Sequence, residues 1–86
     1  MTGRVSASEL WDALARLHRR ATQAIAYQDY AGAAKGFAAL AVVARALGEA
    51  RIYADAKHRQ ASALGSLGQI SAALEAYQEL FRKLDV

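Results

Sequence analysis

The chemistry-bearing side chains of this chain recur as a pair: His18-Arg19 is repeated 40 residues later as His58-Arg59. A guanidinium can donate two parallel hydrogen bonds to one carboxylate or phosphate, and a neutral imidazole can ligate a metal. No third or fourth ligand accompanies the histidines at a metal-site spacing, so the pairs point to anion recognition. The competing reading makes them the solvated side of two helices, with Arg19 and Arg59 paired to nearby carboxylates such as Asp55. Glu75 and Glu79 stand one helical turn apart, a spacing found in carboxylate metal bundles, but no Glu-x-x-His supplies the other half of such a site. A solvated face with Glu79 near Lys83 is the expected reading.

Catalysis has little to stand on. The chain has no cysteine, and it lacks a Gly-x-Ser-x-Gly elbow, a phosphate-binding loop and a His-Glu-x-x-His helix. The expectation is a non-enzymatic protein without a cofactor or metal. Arg16, Arg19, Arg20, Arg51, Lys57 and Arg59 could form a basic stripe for nucleic acid. Glu9, Asp12, Glu49 and Asp55 dilute it, and no aromatic stacking platform accompanies it. The net charge of +3 and pI near 9.6 are a mild excess that favours anionic partners without naming one.

These groups must be held by helices. The chain has 86 residues, no proline and 55% hydrophobic content, and a β-rich domain would need frequent turn residues and β-branched runs. One small domain over residues 1–86 is expected, burying roughly 60–65% of its unfolded surface. Without cysteine it holds by packing alone. Residues 1–10 have no apolar core of the kind a secretory signal carries, and the apolar run from Phe37 to Ala44 is short for a bilayer span. A cytoplasmic protein off the membrane is expected.

Ser6-Ala7-Ser8-Glu9 is a capping box, so a first helix should begin near Ala7, with Leu10, Leu14, Leu17, Ala21 and Ala24 on one face to about Tyr27. Gln28-Asp29 breaks it. A second helix from Tyr30 carries Ala33, Ala34, Phe37, Leu40, Ala41, Ala44 and Leu47 on one side, and Gly48 suits a left-handed cap. A third spans about residues 50–66 despite Gly65. After Gly68 a fourth carries Ile70, Ala73, Leu74, Tyr77, Leu80, Phe81 and Leu84. Short connections favour antiparallel neighbours.

A shift of 40 residues superimposes the halves. Tyr30 falls on Ile70, Ala33 on Ala73, Phe37 on Tyr77 and Leu40 on Leu80, and both turns coincide. The stretch from Ala61 to Leu80, with small Ala61, turn glycine Gly68, small Ala73 and aromatic Tyr77, resembles a tetratricopeptide repeat. Ala21, Ala33 and Phe37 fill the same places in the first half. The resemblance is to the roughly 40-residue variant, with repeat one about 8–47 and repeat two about 49–84. Gln28 departs from the usual turn glycine, Lys57 from a usual large apolar residue, and no proline closes either repeat.

This resemblance implies two stacked helical hairpins and a small adaptor that binds a protein or peptide. Its first helices would line a groove, placing His18, Arg19 and Thr22 beside Asp55, His58, Arg59 and Ser62, with Ile25 and Ser66 at related places. Arginines there grip carboxylates in some members; the asparagine that often joins them is absent. The alternative to stacked hairpins is a plain four-helix bundle with a structural, homo-oligomeric role. Solenoids usually need three or more repeats and a polar cap, whereas the last helix ends apolar, so Tyr77, Phe81 and Leu84 are expected at a homodimer or partner interface. Trp11 and Tyr53 read as core aromatics rather than surface anchors.

Overall fold

The structure, a computed structural model, describes residues 6–84, with side chains described as far as Arg82. It is all-α: α1 (Ala7–Ala26), α2 (Tyr30–Leu47), α3 (Ala50–Ser66) and α4 (Ile70–Leu84). The helix starts follow from local chemistry. Ser6 and Glu9 form a reciprocal box, the Glu9 amide donating to Ser6 Oγ at 3.2 Å and the Ser6 amide to Glu9 Oε1 at 3.3 Å. Asp29 caps α2 by accepting from the Gly32 amide at 3.0 Å. Each supplies an acceptor to amides that the helix itself cannot satisfy.

All three connections close by one device. The amides of Gln28 and Asp29 donate back to the carbonyls of Ile25 and Ala24; Gly48 and Glu49 donate to Arg45 and Ala44; Gly68 and Gln69 donate to Gly65 and Leu64. This is the paired bonding of a left-handed helix stop. The residue that turns left-handed is Gln28, Gly48 or Gly68, with φ of 60°, 74° and 79°, so the stops recur every 20 residues. A side chain in this region costs about 1–2 kcal/mol relative to glycine. Gln28→Gly is therefore expected to stabilise the fold by about 1 kcal/mol, and Gly68→Ala to destabilise it by a similar amount, as read by the midpoint of urea unfolding. A Cβ on Gly68 would meet nothing within 4 Å, which leaves the backbone as the only source of the effect.

Packing follows chain order among the described residues: α2 lies against α1 and α3, and α3 lies against α4. The core is built mostly of alanine, with Ala21, Ala33, Ala34, Ala41, Ala56 and Ala63 buried, and among the described residues only Phe37 and Leu40 are large side chains removed almost wholly from solvent. Small residues let the helices approach closely. At the α1/α2 crossing a Cβ added to Gly36 would stand 2.9 Å from the Ala21 Cβ, inside van der Waals contact, so hydrogen is the only substituent that fits there.

By length and its mean hydropathy of 1.3, α2 would suffice to cross a membrane. Its place between α1 and α3 accounts for the same composition, since Ala33, Ala34, Phe37, Leu40, Ala41 and Ala44 are its buried residues. Two expectations about side chains are corrected. Trp11 is 44% exposed rather than a core residue, whereas Tyr53 does pack against the core. Lys57, read as part of a basic stripe, is buried.

Candidate functional site

The groove residues expected from the sequence stand on α1 and on α3. On α1, His18, Arg19 and Thr22 are exposed and line an open hollow of about 880 Å³ together with Arg16, Arg20 and Gln23. No residue of another helix lines it. On α3, Asp55, His58, Arg59 and Ser62 are likewise exposed, but α1 and α3 are not packed together among the described residues.

The two arginines differ in what they touch. Arg59 Nε donates to Asp55 Oδ2 at 3.0 Å, one turn back on the same helix, and its guanidinium carbon lies 5.8 Å from the centre of the Phe37 ring. Its charge and its planar face are both engaged, the second as a cation over an aromatic ring. Arg16, Arg19 and Arg20 have no carboxylate within 4 Å among the described residues. Three exposed guanidinium groups on one face of one helix repel each other mildly and favour an anion from outside.

His58 is edge-on to Tyr77, with ring centres 5.7 Å apart at 69°, and Tyr77 stacks on Phe81 at 6.3 Å and 17°. His58 thus belongs to an aromatic run across α3 and α4. Leu84 closes α4, and its side chain lies outside the described residues, as does that of Lys83, the expected neighbour of Glu79.

Glu79 instead pairs with Lys57, whose Nζ donates to Glu79 Oε1 across the α3/α4 joint. That hydrogen bond, and next the lysine's charge, hold the Glu79 carboxyl below the ordinary carboxylate range. Slight burial opposes the shift, and Arg82 and Arg45 add to it. Beside the pair, Gln60 Oε1 is buried without a hydrogen-bond donor among the described residues. Glu75 and Glu79 do not assemble a metal site: no cluster of three histidine, aspartate, glutamate or cysteine side chains occurs among the described residues. Of the six basic residues in the expected nucleic-acid stripe, Lys57 and Arg59 are committed to carboxylates within the chain.

Sequence reasoning missed two features. Lys57 was flagged only as a departure from a usual large apolar residue, although the 20-residue spacing that sets it level with Phe37 and Tyr77 could have marked it as a core position. Ile70 and Leu74 were read with Ala73 and Leu80 as one apolar side of α4, yet the first two are exposed and the last two buried. Comparison of the chain with models of known families, with curated proteins and with solved structures finds no match.

Proposed function

We propose that the chain is a non-enzymatic protein-interaction module of two stacked, antiparallel helical hairpins of the tetratricopeptide type, which takes an acidic peptide or protein segment on the free face of α1. One observation carries this reading: Arg16, Arg19 and Arg20 surround an open hollow with no carboxylate partner among the described residues, while the equivalent arginine of the second half, Arg59, is paired with Asp55. The free charges are on one side, at a spacing a carboxylate-bearing segment can bridge. His18, Thr22 and Gln23 add polar groups within the same hollow, which favours a ligand of extended, hydrogen-bonding character over an apolar helix.

The test is fluorescence anisotropy with a labelled hexaglutamate peptide in low salt. Arg16→Glu with Arg19→Glu should weaken binding at least tenfold, because each reversal removes one attraction and adds one repulsion. Arg59→Glu should change it less than threefold. Equal losses from both variants would return the site to a groove shared with α3. Tighter binding of a 20-nucleotide single strand than of the peptide, with a steep salt dependence, would overturn the reading in favour of nucleic acid.

A further inference from the structure

α4 carries an apolar arc about twice as wide as α3 covers. Ala73, Ala76 and Leu80 are buried, while Ile70, Leu74 and Phe81 stand 60%, 55% and 61% exposed. With half-buried Tyr77 between them, these residues run down the helix at steps of four, three and four. That is the seam spacing of a coiled coil, so the shape that covers the stripe is another helix.

The internal repeat says what kind of face this is. Forty residues earlier, the places of Leu74, Tyr77 and Phe81 are held by Ala34, Phe37 and Ala41, all of them buried in the core. α4 thus presents to solvent a face that α2 keeps inside. We infer that this stripe is covered by the same stripe of a second copy, giving a two-fold dimer through α4.

Three observations select that occupant. Head-to-tail stacking would need α1 of the next copy to do what α3 does, but the places of Ile52, Ala56 and Ala63 on α3, which pack into or against the core, are Asp12, Arg16 and Gln23 on α1, all exposed. That polar end cannot seat an apolar stripe, which removes the open-ended heterologous arrangement and leaves the closed isologous one. Among the described residues the free rim of the stripe is Ser71 and Gln78, uncharged and exposed, so two copies meet there without like-charge contact. The area also fits. The three exposed side chains offer roughly 300 Å² per copy, and the pair with its rim buries about 1,000 Å², the size of a weak reversible dimer rather than an obligate one.

Sedimentation from about 1 µM to 1 mM tests this on the whole chain. The expected result is a monomer–dimer equilibrium with a dissociation constant on the order of 100 µM. It should be unchanged or tightened by salt, since screening relieves the repulsion of two net-positive copies. Leu74→Glu with Phe81→Glu should leave a monomer throughout, whereas Val42→Glu, at an equally exposed apolar position on α2 (69%), should leave the dimer intact. Because the chain has no cysteine, Leu74→Cys gives a second reading that needs no charge in the stripe. It should form a disulfide-linked dimer under mild oxidation, and Arg16→Cys should not. A monomer at 1 mM, a dimer that survives the double substitution, or oligomers that grow without limit would each overturn the assignment. Arg16→Glu with Arg19→Glu should not alter the dimer, so failure here and failure of the α1 reading are separately visible.

Discussion

Replacing Phe37 with alanine is expected to lower the free energy of unfolding by about 3–5 kcal/mol, the upper range for a single core truncation. The cause is the composition of the core. Among the described residues, ten of the thirteen buried apolar residues are alanines, and each contributes the area of one methyl group. Phe37 is fully buried and Leu40 nearly so, so a large share of the buried apolar area rests on two side chains. Alanine-lined surroundings are held by backbone and collapse poorly into a void. For a domain of this length the total stability is about 4–13 kcal/mol, so the variant should lose between a quarter and most of it. Urea unfolding followed by circular dichroism measures the effect. Phe37→Leu should retain most of the stability, and a loss below about 1 kcal/mol for alanine would mean that the core is centred elsewhere. Part of the loss comes from Arg59, whose stacking surface goes with the ring.

Lys57 and Glu79 should respond to substitution unequally, although they are partners. Lys57 is buried and Glu79 about half exposed. Glu79→Leu leaves an ammonium group inside the α3/α4 joint without its carboxylate and should destabilise by about 2 kcal/mol, below the range for a fully buried pair because water reaches one side. Lys57→Met leaves only a solvated carboxylate and fills the cavity with apolar atoms, so it should be neutral or stabilising by about 1 kcal/mol. The pH dependence separates the two causes. With its carboxyl held low by Lys57, Glu79 binds its proton more readily in the unfolded chain than in the folded one. Its contribution is complete above the ordinary carboxylate range and is lost as pH falls through the lowered folded value. The wild type should therefore lose more stability than Lys57→Met between about pH 5 and pH 3, measured as the difference in denaturant midpoint. Parallel curves would place the stabilisation in the lysine's stem rather than in its charge.

The helix limits were legible because they are set locally. Ser6 with Glu9, Asp29, Gly48 and Gly68 act within a few residues of where they stand, and the four helices begin and end where those residues place them. The left-handed turn at Gln28 was hidden by its side chain, since glutamine gives no such signal, yet the glycine at the matching place in the second half pointed to it. What sequence could not carry is the partner of each polar group. Lys57 finds Glu79 at a separation of 22 residues, and nothing in a periodicity distinguishes a lysine that faces water from one that faces a carboxylate on the next helix. The exposure of Ile70 and Leu74 was hidden for a related reason. An apolar arc shows which side of a helix avoids water, but not how much of that side its neighbour reaches.

Identical stops at 20-residue intervals, joined to packing that follows chain order, make length a free parameter of this architecture. Each helix is packed only on its neighbours in sequence among the described residues, as in a one-dimensional chain of coupled units, and the same hydrogen-bonded stop recurs at each turn. A further 20-residue unit could be added beyond α4 without moving α1, α2 or α3, because no contact among the described residues closes the array upon itself. Duplication is then a cheap evolutionary step, for it lengthens the ribbon of surface and leaves every existing joint unchanged.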